Sequence, residues 1–135
     1  MNKFLIFVTR SPFESLNGQT ALSFCEVAVK LGHEVSQVFF YQQGVQQSNE
    51  FIQPAAGEQS QLAKWVTFSE QTKTPLNICV TAAIKRGVVS TEEAISNGKC
   101  ENIHPVFNAV GMSEYFAAMR LSSSNDEVSI KCIQF

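Results

Sequence analysis

Strands alternating with helical stretches predict an α/β fold, a three-layer α/β/α sandwich on a mostly parallel five-stranded sheet. Three observations carry this expectation. Residues 4–8 are continuously apolar, the pattern of a strand covered on both faces, as parallel strands are. From Asn17, a residue suited to an N-cap, apolar residues recur at Ala21, Phe24, Cys25, Ala28 and Leu31, and Gly32 closes this helical stripe. Residues 35–41 then read as a second strand, so the first half of the chain reads as one βαβ unit with a right-handed crossover.

The remaining elements follow in order. Residues 42–57 are polar and contain Gly44, Pro54 and Gly57, a loop with one helical turn around residues 45–49. Loops of this length in a compact fold tend to be functional. Residues 58–73 place Leu62, Trp65, Val66 and Ser69 on one helical face. Thr74-Pro75 stops that helix, because proline disfavours the helical conformation in the residue before it. Residues 76–80 form a third strand, followed at once by a short helix over 81–86 that ends at Gly87. Ser90 and Glu93 have capping-box spacing and begin a helix that ends near Gly98. Residues 104–110 are a fourth strand or extended loop, 112–119 a helix, and 128–135 a last strand. The alternation of Val128, Ile130 and Cys132 marks that strand as an edge with a core face.

With 135 residues, 44% of them hydrophobic, the chain is expected to form one domain over residues 1–135 and bury about two-thirds of its unfolded surface. Ten Lys and Arg against twelve Asp and Glu give a net charge of -2. No cationic cluster is available to neutralise a run of phosphates, which argues against direct, tight nucleic-acid binding by this chain alone. The N-terminal apolar run imitates a signal peptide but spans five residues before Arg10 and lacks a small-residue cleavage site, so a cytoplasmic protein with no membrane association is expected. Cys25, Cys79, Cys100 and Cys132 have neither C-x-x-C nor zinc spacing and are expected as free thiols in a reducing compartment.

In open α/β sheets the ligand crevice lies beyond the carboxyl ends of the strands. Cys79 is the one cysteine placed there. The next helix begins at Val80 or Thr81, so its unpaired N–H groups and positive dipole end lie near the sulfur, a setting that favours thiolate, the form that attacks sulfur. Lys85 and Arg86 add positive potential if they turn toward it, and nothing if they face water. The competing reading of Cys79 is a small buried hydrophobe at a strand end. Cys25 and Cys132 read as core, and Cys100, between Lys99 and Glu101, as exposed and oxidisable. His33 reads as a surface residue. His104 reads as a solvated loop histidine, with the alternative of a base approaching the sheet end. No G-x-G-x-x-G follows a strand, and the Walker, G-x-S-x-G and H-E-x-x-H motifs are missing.

Residues 4–9, Gly32-His33-Glu34-Val35 leading to Val38-Phe39-Phe40-Tyr41 and Gly44-Val45, residues 76–80 with Ala82-Ala83 and Arg86-Gly87-Val88-Val89, and the closing Ile133-Gln134-Phe135 together resemble the DsrE family. Within it, the resemblance points to the sulfurtransferase subunits that serve tRNA thiolation. It spans essentially the whole chain and is most specific over residues 77–89. It implies an α/β/α sandwich and a relay subunit for 2-thiolation of the tRNA wobble uridine, with the cysteine matching Cys79 carrying sulfur as a persulfide. It further implies a heterohexamer with TusB-like and TusC-like subunits, a TusA-like sulfur donor, a TusE-like acceptor, and no metal or organic cofactor. The alternatives are a persulfide carrier of dissimilatory sulfur oxidation and a non-catalytic assembly subunit in which Cys79 is inert. Phe13, Phe51 and Phe107 are either partner-covering or core residues.

Overall fold

A computed structural model of the chain describes residues 1–121 and 128–135. The described residues form five strands, β1 (Asn2–Val8), β2 (Glu34–Phe40), β3 (Leu76–Cys79), β4 (Phe107–Val110) and β5 (Ser129–Gln134). They form one sheet in the order β4-β3-β2-β1-β5, and every adjacent pair is parallel. The expected α/β class is therefore observed, with a sheet that is parallel throughout.

The helices are α1 (Asn17–Lys30), α2 (Gln61–Thr72), α3 (Val80–Lys85), α4 (Thr91–Asn97) and α5 (Ser113–Leu121), with a 3₁₀ segment over Gln42–Ser48. On one sheet face Phe4 meets Phe24 of α1 at a ring-centroid distance of 5.1 Å, and Phe40 meets Trp65 of α2 at 5.2 Å. On the opposite face Phe7 and Phe39 stack on each other and both pack against Tyr115 of α5. These contacts put α1 and α2 on one side of the sheet and α5 on the other, which gives the three layers. Burial of Ile6, Val8, Val38, Phe40, Leu76 and Ile78 between sheet and helices supplies the apolar area that drives folding.

Local chemistry explains most boundaries. The Ser60 hydroxyl accepts from the Ala63 amide and begins α2. Lys73 ends it with a left-handed φ of 62°, its amide donating to Ser69 O, just ahead of Pro75. The Ser90 hydroxyl accepts from Glu93 N and caps α4 as its spacing predicts, but the Glu93 carboxylate accepts from Asn97 Nδ2 rather than closing the box. Helix α1 has no side-chain cap and starts at Asn17, with Leu16 in the capping position.

Two expectations about burial are corrected. Cys132 is exposed on the edge strand β5, where among the described residues it borders a recess lined by Phe7 and by Tyr115 and Phe116 of α5. The expected apolar faces of α1 and α2 also shift slightly: Leu31 is exposed, and Phe68 is buried instead of Ser69. Phe107 is core, whereas Phe13 and Phe51 are exposed.

Candidate functional site

Cys79 ends β3 and caps α3, with an extended φ/ψ of -70°/115°. Strand register fixes its direction. Ile78 pairs with Phe40 on the α2 side, so Asn77 and Cys79 project to the α5 side. There Cys79, 6% exposed, lines an open recess of about 330 Å³ together with Tyr41, Gln42, Thr81, Lys85, Arg86 and Met112. The sulfur is shielded yet has a route to the surface. Helix α3 starts at Val80, directly after the cysteine, so the unpaired amides of its first turn sit beside the recess.

The sequence candidates Thr81, Lys85 and Arg86 all line this recess with Cys79. Thr81 and Lys85 are exposed and Arg86 is half-buried. Arg86 is held from two sides: its Nη1 donates to Ala82 O at 3.2 Å, and its carbonyl accepts from Gln46 Nε2 at 3.2 Å. Its Nε is buried without a partner. A second recess of about 340 Å³, containing Thr9, Arg10 and Glu14, shares Gln42 and Arg86 with the first. A trough with cationic groups therefore runs from Cys79 toward the end of β1.

The sequence did not mark Tyr41, Gln42 or Met112, which reach the recess from distant parts of the chain. Gln42 has a left-handed φ of 51°, uncommon for a residue with a side chain. The 3₁₀ segment that carries it is pressed onto β1: Tyr41 N donates to Val8 O and Gly44 N to Tyr41 O, each at 2.9 Å. Behind α3, buried Asn102 accepts from Val89 N at 2.6 Å and donates to Gly87 O at 2.9 Å, fixing the turn that follows the helix.

His104 does not line the Cys79 recess. Its Nδ1 accepts from Val106 N at 3.1 Å and its Nε2 lies 3.9 Å from Glu50 Oε1, so its expected alternative as a base is replaced by a loop-fixing role. His33 accepts from Asn2 N at 3.3 Å and packs edge-on against Phe4. Among the described residues, no three of His, Cys, Asp and Glu gather as a metal-binding group. Nor is any described helix long and apolar enough to cross a membrane.

The other thiols differ from Cys79 in surroundings. Cys25 is fully buried in α1, and burial, with the Glu26 charge adding to it, pushes its thiol up to about 12. Cys100 is exposed. Cys132 is exposed and hydrogen-bonded to the Tyr115 hydroxyl, which burial first and this thiol second push upward. The sign for Cys25 follows from linkage: above pH 9.0 the unfolded thiol ionises while the folded one stays neutral, so its stabilising contribution is lost as pH rises from 9.0 to about 12. The denaturation midpoint is expected to fall across that window, less steeply in Cys25→Ala. An equal slope in both proteins would remove Cys25 as the cause.

Comparison with known proteins agrees with the fold. The model of the DsrE/DsrF-like family matches residues 2–120. The DsrE protein of Allochromatium vinosum is 33% identical over 86% of this chain and 90% of its own length. A protein named sulfurtransferase TusD from Buchnera aphidicola subsp. Schizaphis graminum is 35% identical over 88% of this chain and 94% of its own. Another of that name, from Enterobacter sp. strain 638, is 37% identical over 68% and 72%. The crystal structure of the E. coli ychN protein superposes with a TM-score of 0.66 and 17% identity, covering 97% of this chain and all of that one, a likeness of fold. The family model matching residues 2–120, with relatives 33% and 35% identical over most of the chain, places this chain in the DsrE/DsrF-like family.

Proposed function

We propose that the chain is a sulfurtransferase that carries sulfane sulfur as a persulfide on Cys79, in a relay for 2-thiolation of the tRNA wobble uridine. The observation that carries this reading is the Cys79 sulfur at the end of β3, sheltered but open to a recess bordered by Lys85 and Arg86. The relatives named sulfurtransferases support it.

The step is a thiol exchange. The Cys79 thiolate attacks the outer sulfur of a donor persulfide and forms a new S–S bond. The donor's S–S bond breaks, and its inner sulfur leaves as a thiolate that takes up a proton from solvent. No electrons enter or leave, and the second half of the cycle repeats the exchange toward an acceptor thiol. Such a carrier needs nucleophile access and a shielded product, which the recess combines. In this reading the donor is TusA-like, the acceptor TusE-like, and TusB-like and TusC-like subunits complete a heterohexamer in the cytoplasm. The same chemistry would also serve the alternative that the family resemblance raises, persulfide carriage in sulfur oxidation.

Incubation with a persulfidated donor is expected to add one sulfur atom to the intact protein, seen by mass spectrometry, and to add none to Cys79→Ser. Loading that persists in the serine variant but disappears in Cys100→Ser would place the persulfide on Cys100 and refute the assignment to Cys79.

A further inference from the structure

We propose, resting on the persulfide reading above, that the second recess, at the end of β1, is a subsite for an acidic side chain that the sulfur-carrying partner protein bears close to its persulfide. Arg86 and Gln42 line both recesses, of about 330 and 340 Å³, so the two form one continuous track. Cys79 lies at one end of it, and Thr9, Arg10 and Gln134 lie at the other.

Charge specifies what the far end takes. Lys85 borders Cys79, Arg86 stands between the recesses, and Arg10 lines the second. None of the three has an ion-pair partner among the described residues. Glu14 is the one acidic residue lining the track, and its Oε1 already accepts from Ser11 Oγ at 3.1 Å. The Phe135 carbonyl oxygen is likewise engaged, accepting from Thr9 N at 3.0 Å and from Thr9 Oγ1 at 3.3 Å. The track is thus locally cationic on a chain whose net charge is -2. Such a patch speeds the encounter with an anionic group and fixes its register.

The charge is also within reach. Arg10 is exposed, so a carboxylate in the second recess can accept two parallel bonds from its guanidinium. Gln42, Gln43 and Gln134 are exposed on the same recess and offer amides to a main chain running along it. Three cations are too few for a run of phosphates, whereas one carboxylate needs only one or two. A segment that seats its acid at Arg10 brings the neighbouring persulfide toward Cys79, so the subsite acts on donor choice and orientation, not on the exchange itself.

The test uses two persulfidated peptides as donors to the full chain, Ac-Cys-Gly-Asp-NH2 and Ac-Cys-Gly-Asn-NH2, with loading followed by intact mass. The acidic donor is expected to load about tenfold faster at low salt, and this preference to shrink as ionic strength rises. The preference should fall to about threefold in Arg10→Gln, disappear in Arg10→Glu and hold in Arg10→Lys. Arg10 accepts from Gln47 Nε2 through its main-chain oxygen, a bond that each variant keeps. The S-methyl forms of the two peptides cannot transfer sulfur and report binding alone. The acidic one is expected to shift the backbone amide signals of Thr9, Gln43 and Gln134 in an NMR titration, and to do so more weakly in Arg10→Gln. If neither donor loads Cys79 while the acidic S-methyl peptide still binds there, the persulfide reading fails and the acid subsite stands. Equal loading by the two donors with equal binding of their S-methyl forms, or a preference unchanged in Arg10→Glu, would overturn the subsite. A larger preference for the persulfide of free 3-mercaptopropionate over that of its amide would assign the recess to a small acid and overturn the partner segment.

Discussion

Gly44→Ala is expected to destabilise the protein by about 3 kcal/mol, as an inserted group with no room to relax does. For a chain of this length that corresponds to a fall of roughly 10 °C in Tm. A Cβ at position 44 would sit 2.1 Å from Val8 O and 2.9 Å from Val8 C, both main-chain atoms of the second strand in from the β5 edge. Neither can yield as a flexible side chain can. Val8 O already accepts from Tyr41 N, so pushing the 3₁₀ segment away also breaks the bond that ties β2's end to β1. The displaced segment carries Gln42, so persulfide loading should slow along with the loss of stability. Gly111→Ala is the control: its new Cβ would meet nothing closer than Ser113 Oγ at 3.5 Å, and its midpoint should stay within about 0.5 kcal/mol of wild type. Equal unfolding midpoints for the two variants, read by thermal and urea denaturation, would refute the packing argument.

The same close approach shows where sequence reading succeeds and where it stops. The apolar run of β1, the stripe of α1 and the Thr74-Pro75 stop are local signals, and the fold class follows from them. Cys79, Thr81, Lys85 and Arg86 fall within eight consecutive residues, so that half of the recess was legible from spacing along one strand and one helix. Tyr41, Gln42 and Met112 come from other elements, and only the parallel register brings them in. Cys132 misled because period-two alternation identifies a face but does not say whether anything covers it. Gln47 misled in the opposite sense, since a glutamine in a polar loop carries no mark of burial. Polar residues on the α5 face were equally silent: Asn77 Nδ2 donates to Gln37 Oε1 at 2.9 Å, and Asn108 Nδ2 to Asn77 Oδ1 at 3.2 Å, an amide ladder across β2, β3 and β4 that period-two patterning reads as solvent-facing.

Arg86→Gln is expected to slow sulfur loading of Cys79 about tenfold, equivalent to roughly 1.4 kcal/mol of lost transition-state stabilisation. During the exchange negative charge moves from the attacking sulfur to the leaving one, so a fixed cation bordering the recess stabilises the charge as it spreads. Arg86 is suited to this because its bonds to Ala82 O and Gln46 hold the residue in place, while its buried Nε–H has no protein partner. Exposed Lys85 is a mobile charge screened by water and should matter less, about twofold on replacement by Gln. Arg86→Lys separates charge from geometry: it keeps the cation but loses the planar fork and the Nε–H, so an intermediate loss of about threefold is expected. A merely structural Arg86 would lower the melting temperature of all its variants without changing how loading responds to salt. The charge role instead predicts that raising ionic strength slows wild type and Arg86→Lys toward the Arg86→Gln rate, while Arg86→Gln itself barely responds. Identical salt dependence in all three proteins would reduce Arg86 to a support for the turn after α3 and leave the amides of that helix as the recess's remaining fixed positive potential.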